Sequence, residues 1–167
     1  MVVSAGLHRV LALARDLAQE LVLLREDARQ AGRTDTLERI DLELSGYPAG
    51  RTVPRYRHVA AQHRGDMHAS HLQQDVPLPA AHLTFGDKAV VSEGLLHLRD
   101  MAGFLHALES GHDVLRRPVD PQRLPLYARG LPPGSGIRIL AGWECIHADS
   151  LAGMLGAIRA YVGAMRS

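Results

Sequence analysis

Ten histidines are the residues of this chain best suited to chemistry, and four of them lie within fourteen residues: His58, His63, His68 and His71. Metal sites usually take histidines at i and i+4 on a helix or at i and i+2 on a strand, with help from carboxylates or thiolates. Intervals of five, five and three residues fit neither spacing, and Asp66 is the only carboxylate inside the stretch. We therefore predict no metal and no cofactor, and expect these histidines mainly at the surface.

Cys145 and His147 form the second pair with chemical potential, because a thiolate beside an imidazole can act as a nucleophile. Two residues apart on one strand, their side chains lie on the same face but about 7 Å apart, which is too far for a hydrogen bond. We therefore expect Cys145 to be a buried structural residue. Because motifs of hydrolases, phosphate-binding loops, dinucleotide sites and zinc proteases are also missing, we predict no catalytic residue and no enzyme activity.

The charge balance argues against a nucleic-acid partner. The chain has 167 residues, of which 19 are basic and 18 acidic, for a formal net charge of +1. Domains that bind nucleic acid usually carry a basic stripe or a pI above about 9. A contact through Arg55, Arg57 and Arg64 is the one alternative of this kind, and it would depend steeply on salt.

The single cysteine excludes an internal disulfide and is compatible with a reducing compartment. The N-terminus lacks a basic flank followed by an apolar run, and no stretch approaches 18 apolar residues. We expect a cytoplasmic protein without a membrane segment.

Hydrophobic periodicity predicts the elements that position these residues. Residues 4–30 read as one long helix, ended by Gly32. Thr34 or Asp35 is predicted to cap a second, antiparallel helix, with Asp35 and Glu38 spaced as a capping box. This helix has a buried stripe at Leu37, Ile40 and Leu44, and stops at Ser45-Gly46-Tyr47-Pro48.

The remaining pattern predicts strands and two further helices. Residues 56–60 and 67–76 read as two paired strands, and Ser92 is expected to cap a middle helix that reaches Glu109. Residues 137–145 alternate as a strand that we expect to bury Trp143 in the core, and Asp149 is expected to cap the last helix. The predicted fold class is α+β: two N-terminal antiparallel helices, a small mostly antiparallel sheet, a middle helix and a C-terminal strand–helix unit.

The last helix has an unusual face. Opposite its apolar stripe lie only small residues, where a solvated helix normally carries long polar side chains. Such a face lets another helix approach closely, within the chain or from a partner, although a bias toward alanine and glycine in the whole sequence would also produce it. The residues of this small-residue face are Gly153, Gly156, Ala157, Ala160 and Gly163.

Two motifs and a C-terminal block occur together in this chain. The motifs are Glu43-Leu44-Ser45-Gly46-Tyr47-Pro48 and Pro54-Arg55-Tyr56-Arg57, and the C-terminal block joins Trp143 to the helix carrying Ile158-Arg159. In this combination they resemble the AbiTii domain of bacterial abortive-infection systems. Gly46, Tyr47, Pro48 and Trp143 are expected to be structural, with Tyr47 packed beside the end of the second helix. The resemblance implies one AbiTii-like domain over residues 1–167.

The resemblance also implies a function. AbiTii domains are regarded as modules of antiviral defence, so we expect a non-enzymatic adaptor that binds other proteins. The expected partner is a second copy, in a homo-oligomer, or a defence-system protein encoded alongside, bound through the small-residue face. The alternative is a small hydrolase or nuclease toxin that uses the histidine-rich segment 58–71.

Overall fold

A computed structural model describes residues 5–98 and 113–166 of the chain. Within these ranges the fold is α+β, as predicted, with N-terminal helices, two antiparallel sheets and a C-terminal strand followed by a helix. The helices are α1 (Ala5–Gln30), α2 (Thr34–Ser45), α3 (Leu124–Ala128) and α4 (Ala148–Ala164). The strands are β1 (His58–Ala60), β2 (Gln62–His68), β3 (Leu72–Pro77), β4 (Lys88–Val90), β5 (Val114–Pro118) and β6 (Arg138–His147).

Helices α1, α2 and α4 enclose the larger apolar cluster. Leu21, Ile40 and Ile158 are fully buried at its centre, one from each helix, and Ile146 joins them from β6. The buried residues of α1 and α4 recur at the three- and four-residue steps of an amphipathic helix. Of the stripe predicted for α2, Ile40 and Leu44 are buried and Leu37 is partly buried. The predicted cap of α2 is wrong, because Thr34 is already helical and no side chain bonds the first turn.

The strands pair differently from the prediction. Strand β1 pairs with β4, whereas β2 and β3 form a hairpin within a four-stranded antiparallel sheet of order β3-β2-β6-β5. The predicted pairing of 56–60 with 67–76 is wrong, because the hairpin turn between His68 and Leu72 divides the second of these segments. Partners so far apart in sequence are chosen by burial of the whole sheet face, which local alternation does not specify.

Strand β6 is confirmed, but its inward face changes along its length. Ile139 packs inward, as predicted, against a smaller apolar cluster around Leu78 and Tyr127, and a β-bulge at Leu140 then reverses the alternation. Gly142, Glu144 and Ile146 are buried toward the core, whereas Trp143 is only partly buried and belongs to neither apolar cluster. A Cβ on Gly142 would point at Leu78 and Leu124, so this position faces the smaller apolar cluster. The core assignment of Trp143 is therefore wrong.

Two helices also begin at residues other than those predicted. Asp149 lies within the first turn of α4, after His147 at the cap position, and caps no backbone group. After Ser92 the backbone stays extended, and helical hydrogen bonding begins only with the bond from the Leu98 N–H to the Gly94 carbonyl. The rest of the predicted middle helix, to Glu109, lies outside the described residues.

Candidate functional site

The two N-terminal motifs meet in a buried ion pair. Glu43 of α2 is 1% exposed and Arg57 is 0% exposed. The Arg57 Nε–H donates to Glu43 Oε2 at 3.0 Å, and the Arg57 Nη2 group donates to the same oxygen. This geometry neutralises both charges inside the protein, which is the condition for burying them.

Two tyrosines complete this cluster, which we call the junction cluster: Glu43, Tyr47, Tyr56 and Arg57. The hydroxyls of Tyr47 and Tyr56 donate to Glu43 Oε1 at 2.6 and 2.5 Å. Burial, followed by the hydrogen bond to Glu43, raises the pKa of Tyr47 to about 12, and the same two causes raise the pKa of Tyr56. Tyr47 thus packs beside the end of α2, as predicted.

Every donor of Arg57 is used within the protein. Besides Glu43 Oε2, it donates to the backbone carbonyls of Glu43, Val91 and Glu93, at 3.3, 3.2 and 2.7 Å. A guanidinium has five N–H groups, and these contacts account for five bonds. The junction cluster therefore holds the fold together and offers no donor of Arg57 to a ligand.

The end of α2 also joins residues 92–96 through the backbone. The N–H groups of Leu95 and Leu96 donate to the last carbonyls of α2, and the Tyr47 N–H donates to the Ser92 carbonyl. Gly46 has a φ of 101°, and a Cβ on Gly94 would lie 2.2 Å from the Leu44 carbonyl oxygen. Two glycines permit this contact, so Gly46 has the structural role predicted for it.

A second polar cluster lies on the outer face of the four-stranded sheet. Each strand contributes one residue to this sheet-face cluster: Arg64, Asp75, Arg116 and Trp143. Arg64 Nε, Arg116 Nη2 and Trp143 Nε1 donate to Asp75 Oδ1 at 3.1, 3.3 and 3.0 Å. The Arg116 guanidinium carbon lies 3.5 Å from the centre of the Trp143 ring, a cation–π contact.

The small-residue face of α4 is open. Gly153, Gly156, Ala160 and Gly163 are exposed and Ala157 is partly so. A Cβ built on any of the three glycines meets no atom of the described residues within 4 Å. No helix among the described residues packs on this face.

The comparison with family models decides the relationship. A model of the family described as AbiTii matches residues 8–165. The chain belongs to the AbiTii family. Neither the search of curated proteins nor that of solved structures returned a match. Membership points to a component of an abortive-infection system, which is the context that the family name gives.

In this AbiTii member the histidines of segment 58–71 are not gathered into one site. His63 is buried, where its Nε2–H donates to the Lys88 carbonyl at 3.1 Å and its Nδ1 accepts from the Tyr127 hydroxyl at 2.7 Å. His58 and His71 are exposed and His68 is partly so. Within residues 5–98 and 113–166, no three potential metal ligands lie together.

Cys145 is buried, as predicted, and His147 is exposed. Burial raises the pKa of the Cys145 thiol, which lowers the fraction of reactive thiolate at neutral pH. The pair therefore lacks the features of an activated nucleophile.

Among the described helices of this AbiTii member, none has the length and apolar character needed to cross a bilayer.

The sequence named Glu43, Arg57 and Arg64 but did not show which charged residues pair in either cluster. One signal was present, because Glu43 falls between Ile40 and Leu44 on the buried stripe of α2, where a carboxylate needs a partner. For the sheet-face cluster there was none. Asp75 and Arg116 lie 41 residues apart, and nothing in their local sequence pairs them.

Proposed function

We propose that this AbiTii member is a non-enzymatic assembly module of an abortive-infection system, and that it associates through the small-residue face of α4. The partner is a second copy of the chain or a defence protein encoded alongside. The observation that carries the proposal is the exposure of this face. It lies opposite the buried stripe of α4 and bears no long side chain.

The chemistry of the face supports contact with another helix. Its centre consists of glycine and alanine, so a partner backbone can approach closely. Its edge residues Tyr161 and Arg159 are held within the chain by bonds of 3.0 Å to Arg39 and Glu20. Because these two side chains are bonded within the chain, they do not cover the glycines and alanines of the face.

The energetic cost of the face supports the same proposal. Glycine in an exposed helix position costs about 1 kcal/mol relative to alanine. Gly153, Gly156 and Gly163 occupy such positions in α4, yet they relieve no contact with the described residues. Packing against a partner would offset this cost.

Light scattering tests the proposal. We expect the wild type to be a dimer or larger, or to form a complex with the co-expressed neighbouring defence protein. The Gly156→Glu/Ala160→Glu variant should lose this assembly, because two charges would be buried in a dry contact. Gln19→Glu/Gln30→Glu adds the same charge at exposed positions of α1 and should assemble normally. Assembly that survives the α4 variant, or a wild type that forms neither an oligomer nor a complex, would contradict the proposal.

A second variant separates a contact from a bias in composition. Gly156→Ala/Gly163→Ala raises helix propensity and fills the exposed face with two methyl groups. If the face is an interface, the variant should be more stable as a monomer and should assemble more weakly. A gain in stability with unchanged assembly would point to composition alone.

The hydrolase or nuclease alternative is tested with a triple variant. Because His63 is buried and bonded on both ring nitrogens, its replacement would disturb folding as well as any chemistry. His58→Ala/His68→Ala/His71→Ala leaves that residue in place. Loss of a measurable nuclease or hydrolase activity in a folded triple variant would overturn the module proposal.

Two of the three arginines considered for contact with nucleic acid are engaged within the protein. Of the three arginines considered for it, Arg57 is buried with every donor used, and Arg64 is bonded to Asp75. Arg55 alone is exposed. These residues do not form the continuous basic surface that a phosphate backbone requires.

A further inference from the structure

We propose that the sheet-face cluster is a recognition site for an acidic side chain, glutamate or aspartate, of a protein partner. The proposal is independent of the α4 face. It rests on the hydrogen-bonding capacity that Arg116 keeps, on the way its guanidinium is held, and on the charge around it.

Arg116 is held in place but makes few hydrogen bonds. Its guanidinium lies over the Trp143 ring and makes one hydrogen bond to the described residues, from Nη2 to Asp75. The side chain is 17% exposed, and no buried polar side-chain atom of the described residues lacks a partner. Its other N–H groups therefore reach solvent. An arginine held in this way loses little further entropy when it binds a carboxylate.

The charges around Arg116 favour a single carboxylate. Asp75 Oδ1 is shared between two guanidiniums, so Arg64, Asp75 and Arg116 together carry one positive charge, which the Asp66 carboxylate offsets. The neighbouring Asp66 carboxylate accepts the Asp75 N–H at 2.9 Å. A polyanion such as nucleic acid would meet repulsion from both aspartates, whereas one carboxylate needs only the free edge of Arg116.

A β-bulge accounts for the backbone of Asp75. Its φ of 50° is the single positive value for a non-glycine residue in the described chain. Gln74 and Asp75 together stand opposite Asp66 of β2, and a bulge of this kind changes the direction of a side chain. Here it belongs to the residue on which the three donors of the cluster converge.

Trp143 makes the site directly measurable, because it is the only tryptophan of the chain. Its indole N–H gives one cross-peak in a ¹H–¹⁵N spectrum of the full protein. We would titrate this signal with capped triglutamate, and with capped trilysine, inorganic phosphate and an oligothymidine as comparisons. Triglutamate should shift it saturably with a Kd of about 1 mM, a value typical of a few charge-assisted hydrogen bonds in water.

Three variants sharpen the test. Arg116→Gln should weaken triglutamate binding at least about tenfold, because the charged fork is lost. Asp75→Asn keeps the size and tolerates the positive φ, and should tighten binding about three- to tenfold as a competing charge is removed. Arg159→Gln, an exposed arginine on α4, should change nothing. If Arg116→Gln does not fold, Arg116→Lys replaces it, and weaker binding is again expected because the ammonium has no planar fork.

The opposite results would overturn the proposal. These are an indole signal that triglutamate does not move in either the wild type or Asp75→Asn, or equal affinities of the wild type and the Arg116 variant. A shift produced by phosphate or oligothymidine but not by triglutamate would assign the site to another ligand class. Gly156→Glu/Ala160→Glu should leave the titration unchanged, so this proposal and the α4 proposal can fail separately.

Discussion

The junction cluster and the sheet-face cluster are built from the same kinds of residue, yet they differ in how many arginine N–H groups remain free to bind another molecule. In the first, Arg57 is completely buried and all its donors are bonded. In the second, Arg116 reaches solvent and makes one hydrogen bond while it stacks on Trp143. Because the first arginine is desolvated with its partner, its removal would leave a buried charge unpaired. Solvent access leaves the second able to bind another molecule.

The two motifs that identify the family thus maintain the structure. Glu43 and Tyr47 come from the first, and Tyr56 and Arg57 from the second. From there the polar contacts continue, because the Glu93 carboxylate binds Arg117, which also binds the buried Glu144 at 2.8 Å. This path of hydrogen bonds and ion pairs connects the end of α2 to β5 and β6.

The largest expected effect comes from Arg57→Ala. Removing one partner of a buried ion pair leaves Glu43 charged and unpaired, which typically costs about 3–5 kcal/mol. Urea denaturation of the variant should show a loss in this range. A loss below about 1 kcal/mol would remove the distinction between the two clusters.

The next largest effect is expected for Gly94→Ala. The added Cβ would collide with the backbone at the end of α2, and overpacking of this kind costs about 1–3 kcal/mol. Gly153→Ala is the matched control when both changes are made in the Gly156→Glu/Ala160→Glu background, which is expected not to assemble. There its Cβ meets no described atom within 4 Å, and it should gain about 1 kcal/mol from helix propensity. Opposite signs for the two variants in thermal unfolding would confirm that the junction is tightly packed and the α4 face open.

A smaller effect is expected for Arg64→Ala in the sheet-face cluster. Its side chain is 30% exposed and its ion pair with Asp75 is partly screened by water. The free energy of unfolding should fall by less than about 1 kcal/mol. A loss as large as that of Arg57→Ala would show that this cluster is also a structural support, and would weaken its assignment as a binding site.

A further effect is absent at neutral pH, because it concerns the alkaline titration of the junction cluster. The pKa of Tyr47 rises to about 12 from an unfolded value near 10. Its contribution to stability is therefore complete below pH 10 and is lost as the pH rises through 12. Tyr47→Phe should lose less stability than the wild type between these values when urea midpoints are compared. Equal losses would mean that the ionisation of Tyr47 is not linked to unfolding.

Local sequence patterns predicted most of the helices because each helix needs only its own residues to reveal its buried stripe. Those of α1 and α4 could be read from spacing alone, as could the stop of α2 at Gly46. The caps of α2 and α4 were wrong by one or two residues. The motifs were also sufficient to indicate the family, which the match over residues 8–165 confirms.

The sequence by itself determined the α+β class, the apolar stripes and the small-residue face of α4, since each depends on residues close together in the chain. Tertiary structure alone decided which strands pair, which face of β6 turns inward and which arginine meets which carboxylate. Trp143 shows the reason. An alternating strand has two possible inward faces, and the bulge at Leu140 turns Gly142 toward Leu78 and Leu124 and so places the tryptophan on the outside.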